Sequence, residues 1–172
     1  MRMENIIKNT AGQTIQLFHL PRYEELPDTG LYLEQTVTYI NHCLSPLGCI
    51  EVTGSMVRNY VKKGLVNNPI QKQYHADQIA HLICITILKH VISLEHIQEL
   101  FSRQQKIYTD ITAYNYFCME LENILFYRSG LKDSLDDIGS TFSLEKEMLR
   151  SAITAVSHII FLNICFESLK DR

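Results

Sequence analysis

VTGSMVRNYVKKGLVNNPIQKQYHADQIAHLICITILKHVISLEHIQEL, residues 52–100, decides how this chain reads. It opens with a basic cluster. Between Val52 and Tyr74 the charged residues are Arg58, Lys62, Lys63 and Lys72, and no Asp or Glu is present. The whole chain carries a net charge of −3, so these uncompensated cations mark a surface suited to phosphate. A short helix is expected from Thr53, whose hydroxyl can cap freed backbone N–H groups, to Gly64, which can stop it. Val57, Tyr60 and Val61 then share a buried face, while Ser55, Arg58, Asn59 and Lys62 share the opposite one. The loop from Asn67-Asn68-Pro69 through Tyr74 has room for two very short strands. Two apolar-periodic helices follow, one from about His75 to Val91. The other has Ser93 as its N-cap and turns Leu94, Ile97 and Leu100 inward.

Working outward, residues 1 to about 20 read as an arm, because Asn9, Thr10, Gly12, Gln13 and Thr14 give no periodicity. The segment LPRYEELPDTG, residues 20–30, is bracketed by Pro21 and Pro27 and ends in a turn signal. A first helix is expected over Leu31 to Leu44, with Leu33, Val37, Ile40 and Leu44 on one face. Ser45-Pro46-Leu47-Gly48 stops it. Downstream, the pattern predicts helices over Thr109 to Tyr127 and Ser143 to Leu169. The last carries two apolar stripes: Leu144, Met148, Ala152, Ala155, Ile159, Leu162 and Phe166, and Leu149, Ile153, Val156, Ile160 and Ile164. Such a helix is expected to bury both sides, in a bundle or at a subunit interface.

The totals narrow the class. An apolar share of 46% and a charged share of 20% over 172 residues are enough for a globular core. Five scattered cysteines, at 43, 49, 84, 118 and 165, indicate a reducing compartment and not a disulfide framework. The first residues, MRMENIIKN, lack the apolar core of a signal peptide, and the run Ile153 to Phe166 is shorter than a membrane span. A cytoplasmic protein without membrane contact is expected.

A helix, a break and a capped helix with an outward polar stripe make a helix-turn-helix argument. Arg58 suits guanine and Asn59 adenine. Lys62 and Lys63 suit the flanking phosphates, and Lys72 can reach phosphate from a wing. Thr53 to Val66 with Pro69, Tyr74 and the run Ile79 to Leu100 resembles the DNA-binding half of the MerR family. The matching positions are Tyr60, Gly64 and Leu65 in the recognition helix, Pro69 and Tyr74 in the wing, and Ser93, Leu94, Ile97 and Leu100 beyond it. More closely, LPRYEELPDTGLYLEQ, LSPLG and TGSMVRNYVKKGLV resemble the bacterial family called domain of unknown function 1836. The resemblance implies a MerR-like winged helix and no established ligand. The chain departs from the MerR pattern in its wing, where Ile70-Gln71-Lys72-Gln73 lacks the usual Gly and Arg. It departs also at Asn59, where an aromatic is common, and in its multi-helix tail.

Other signals weigh less. His42, Cys43 and Cys49 flank a turn, but no fourth ligand is evident, so no metal is expected. Tyr108, Tyr114, Tyr116, Phe117, Phe126 and Tyr127 either line a pocket for an unidentified small-molecule effector or form plain core. No phosphate-cradling loop or nucleophile elbow is present, so neither cofactor nor catalysis is expected.

The expectation is therefore an all-α protein: an arm at 1–20, a MerR-like winged helix-turn-helix at 21–102, and a helical dimerisation or effector region at 103–172. Its expected function is sequence-specific binding of double-stranded DNA as a transcriptional regulator, as a homodimer joined through the C-terminal helices. The expected DNA-binding residues are Thr53, Ser55, Arg58, Asn59, Lys62, Lys63, Lys72 and Tyr74. The alternative is a non-catalytic protein-interaction adaptor that keeps the helix-turn-helix fold.

Overall fold

A computed structural model describes residues 11–139 and 141–170. Six helices carry the fold: α1 (Leu33–Leu44), α2 (Gly54–Lys62), α3 (Ala76–Leu88), α4 (Leu94–Gln104), α5 (Asp110–Arg128) and α6 (Leu144–Lys170). Two short strands, β1 (Leu31–Tyr32) and β2 (Gln73–Tyr74), pair antiparallel with Leu31 opposite Tyr74. The protein is all-α apart from this small sheet. The helix starts follow their caps: Thr53, Ser93 and Thr109 each accept a hydrogen bond from the backbone N–H three residues on.

Ten of the thirteen residues of α3 are buried, which puts it at the centre of the body. A helix apolar all round has no solvent face to offer. Its buried polar residues are satisfied: Thr86 Oγ1 donates to Leu82 O, while the Gln78 side chain accepts from His75 N and donates to Asn68 O.

Residues 11–20 do not behave as an arm. Residues 11–15 are helical, and Ala11, Ile15, Phe18 and Leu20 are buried in the core. The rest of the expected arm, 1–10, lies outside the described residues. Periodicity misses this packing because its partners are about a hundred residues away. Glu122 on α5 accepts from Leu20 N at 2.9 Å and binds Arg22 through two nitrogens at 2.9 and 2.7 Å. Tyr114 Oη donates to Pro21 O at 2.8 Å, and Tyr23 N donates to Asn115 Oδ1 at 2.8 Å. One hydrophobic core runs through residues on both sides of position 102, so the tail is part of the same body as the segment before it.

The two stripes of α6 have different fates. Leu149, Ile153, Val156, Ile160 and Ile164 are buried, each contributing roughly 1.5–3 kcal/mol of burial. Leu144, Met148, Leu162, Phe166 and Leu169 stay 40–60% exposed. Within the single chain the outer stripe is left partly uncovered, because the body supplies a partner on one side only. By length and composition α6 is long and apolar enough to cross a membrane, and 33% of that apolar window is buried inside the fold.

Candidate nucleic-acid interface

The approach to α2 is held from α1. Asn41 Nδ2 donates to Val52 O and Asn41 Oδ1 accepts from Val52 N, both at 2.9 Å, so one side chain pairs with the backbone as a neighbouring strand would. Thr53 then caps the helix, its Oγ1 accepting from Met56 N at 3.3 Å. Val57 and Tyr60 are buried beneath it. Gly64, at φ +77°, releases the chain from the helix end.

Ser55, Asn59 and Lys62 occupy the centre of the outward face, and all three are exposed. Arg58 flanks them on one side and Lys63 on the other. Among the described residues, Arg58, Lys62, Lys63 and Lys72 have no hydrogen bond or ion pair within the chain. Thr53 serves as the cap, and its hydroxyl lies 3.2 Å from Ser55 Oγ.

Arg58 leans toward the hairpin. Burial pushes the Tyr74 phenol above its ordinary range, while the nearby Arg58 charge acts in the opposite sense. Tyr74 itself is buried at the base of the strand pair. It supports the hairpin from inside and presents little surface to a ligand. The hairpin tip is a two-residue turn. Ile70 and Gln73 exchange N–H···O bonds at 2.9 Å in each direction, and Gln71 and Lys72 both have positive φ, 49° and 65°. This is the pattern of a type I′ turn, made here without glycine. The expected second strand lies elsewhere: β2 pairs with β1 ahead of α1, and only one bridge closes the tip. Gly30 permits that pairing, since a Cβ there would stand 2.7 Å from Gln73 Cβ. Gln78, buried at the start of α3, accepts from His75 N at 2.8 Å and donates to Asn68 O at 2.8 Å and Asn67 O at 3.2 Å. It thereby ties the loop after α2 to the strand leading out of the tip.

The acid-free window acquires acidic neighbours in three dimensions. Glu34 Oε1 and Arg58 Nη1 each lie 3.8 Å from where a Gly54 Cβ would be. Glu95, at the start of α4, is held below the usual carboxylate range first by a hydrogen bond to backbone and then by the Lys63 charge. The charge of Lys63 is therefore partly answered, and Lys62 and Lys72 are the freer cations. A further basic residue joins from the end of α3: Lys89 Nζ, at its C-cap, donates to Glu51 O at 3.2 Å and reaches Met56 Sδ at 3.3 Å. Burial lowers its pKa. Sequence reasoning missed Asn41, Gln78 and Lys89, because nothing local distinguishes them from other polar residues on a helix. Among the described residues, no three His, Cys, Asp or Glu side chains converge as metal ligands.

No curated protein and no solved structure matches the chain. The family model described as domain of unknown function (DUF1836) matches residues 21–117. That span runs past position 102 into α5, the helix whose Tyr114 and Asn115 hold Pro21 and Tyr23. The chain belongs to the DUF1836 family.

Proposed function

We propose that this protein is a sequence-specific double-stranded DNA-binding transcriptional regulator of the cytoplasm, working through a MerR-like winged helix-turn-helix. In it α2 is the recognition helix and the Ile70–Gln73 hairpin the wing. The observation that carries the reading is the outward face of α2: Ser55, Arg58, Asn59 and Lys62 exposed, with the opposite face locked into the core. A nine-residue helix is about 13 Å long, comparable to the width of the major groove. No acidic residue occupies its first turn, so nothing within the helix opposes the positive end of its dipole, although Glu34 of α1 comes close to Gly54.

The exposed face of α6 supports a homodimer reading. Positions 144, 148, 151, 155, 158, 162 and 169, spaced by fours and threes or by a whole heptad, are all exposed. That is the spacing of a coiled-coil seam. A lipid bilayer suits α6 less well, because its inner stripe is already occupied by the core of the same chain. Two copies would offer on the order of six to eight phosphate contacts and a salt slope of roughly −5 to −7.

The test is binding of the full chain to a duplex selected from a random pool and to a random duplex, over a range of salt. Arg58→Ala is expected to weaken specific binding by about 1–3 kcal/mol and to relax one position of the site. Lys62→Ala is expected to weaken both duplexes alike. Equal losses on both duplexes from both variants would sink the base-reading role of Arg58. No binding at low salt would favour the adaptor reading, in which the exposed seam of α6 takes a helix of another protein.

A further inference from the structure

We infer that a cavity between α5 and the start of α6 is a binding site for a small, neutral, monocyclic aromatic molecule bearing one hydrogen-bonding substituent. The cavity has a volume of about 170 Å³, and its walls include Gln104, Tyr108, Thr112, Tyr116, Met119 and Lys146. Apolar cavities of about 150 Å³ take up benzene, so one ring with a substituent fits. The walls are mainly apolar, and a thioether such as that of Met119 packs well against an aromatic ring.

Gln104 makes this more than a packing void. It is 7% exposed, and among the described residues its side-chain amide has no hydrogen-bond partner. Its amide atoms stay within reach of solvent and are not sealed in the core, and the residue lines the cavity. It can donate to or accept from a ligand substituent. Tyr116 Oη, buried without a hydrogen-bond partner among the described residues, is a second open polar group on this wall, whereas three others are engaged. Tyr108 Oη and Ser143 Oγ lie 2.8 Å apart, Thr109 Oγ1 donates to Thr112 Oγ1 at 2.9 Å, and Lys146 Nζ donates to Gly139 O at 2.9 Å. The Lys146 ammonium also sits 5.5 Å from the centre of the Tyr116 ring.

The charges around the cavity favour a neutral ligand over an anion. Glu120, Glu147 and Asp137 all bear on the Tyr116 phenol, and Arg150 opposes them. Lys146 is held by its carbonyl and the Tyr116 ring, so its charge is not left free for a carboxylate.

The test uses the full chain labelled at Met and Thr methyls, titrated separately with phenol, toluene and benzoate and followed by NMR. Saturable shifts of the Met119 and Thr112 methyls are expected with phenol, with affinity at least tenfold above toluene and above benzoate. Gln104→Leu should bring phenol and toluene within about twofold of each other. Ala113→Phe, which fills the cavity from its wall, should abolish the shifts. Should that variant fail to fold, the ligand comparison in the wild type and Gln104→Leu still decides. No saturable shift with any compound, meaning that the cavity holds water only, overturns the site. Benzoate binding tighter than phenol overturns the neutral class, and a phenol preference surviving Gln104→Leu overturns the role of Gln104. None of these readings involves DNA, so the site and the DNA-binding proposal stand or fall separately.

Discussion

The Ile70–Gln73 turn offers a perturbation whose expected effects on stability and on the proposed DNA binding have opposite signs. Gln71 and Lys72 occupy left-handed backbone, at φ 49° and 65°, where an L-residue pays roughly 1–2 kcal/mol. The preferred pair for such a turn is Asn-Gly. Lys72→Gly relieves most of that cost at one position, while the looser unfolded chain returns roughly 0.4–1 kcal/mol. Gln71→Asn relieves a smaller part, because Asn tolerates the conformation. The double substitution is therefore expected to stabilise the fold by about 1 kcal/mol. With a urea slope of about 2 kcal/mol per molar, the unfolding midpoint should rise by roughly 0.5 M. Lys72→Gly also removes a cation that has no internal partner, so the salt slope of DNA binding should shrink by about 0.9 per protomer. Gln71→Asn alone leaves the charge unchanged and should stabilise without altering that slope. Circular dichroism in urea and fluorescence anisotropy across salt read the two effects. An unchanged or lowered midpoint would refute the strain argument. An unchanged slope for Lys72→Gly would remove the wing from the interface.

The pin between α5 and the residues before β1 should show directly. Glu122→Ala leaves Arg22, at 25% side-chain exposure, and the Leu20 N–H without their acceptor, and is expected to cost roughly 2 kcal/mol. Hydrogen exchange should then speed up at Ile15, Phe18 and Leu20. A cost below 0.5 kcal/mol would mean the segment is held by its apolar contacts alone. Glu120 is fully buried, and burial raises its pKa above the usual carboxylate value. Arg150 Nε lies 3.3 Å from its Oε1, yet neither carboxylate oxygen has an aligned hydrogen bond. A raised carboxyl pKa destabilises the fold above that pKa, and protonation relieves the cost as pH falls through it. Glu120→Gln should therefore be about 1 kcal/mol more stable than wild type at pH 7, with the gap narrowing as pH falls. A gap that widens on acidification would show that the ion pair with Arg150 outweighs desolvation. Leu162→Glu with Phe166→Glu, placed on the exposed stripe of α6, should leave the fold intact and yield a monomer by light scattering. A wild type that is already monomeric at micromolar concentration would refute the seam.

Element positions were legible in the sequence wherever the signal is local. Thr53, Ser93 and Thr109 cap their helices through bonds spanning three residues, and Gly64 takes the positive φ that ends α2. The split of α2 into a buried side and an outward side follows from its 3.6-residue period alone. The same logic located α6 and its two stripes.

What the sequence by itself determined was which residues of each helix can face a core and where each helix begins. Only the tertiary structure decided which apolar stripe of α6 finds that core, because the two stripes are equally apolar and the neighbours that choose between them lie far off in sequence. It also decided that residues 11–20 pack onto α5 and that Tyr74 is buried beneath the hairpin. The basic window likewise changes meaning in three dimensions, since Glu34 comes close to the start of α2 and Glu95 feels the Lys63 charge, while Lys62 and Lys72 stay free. Charge along a chain is a local property, but the field at a surface sums over every residue that folding brings near.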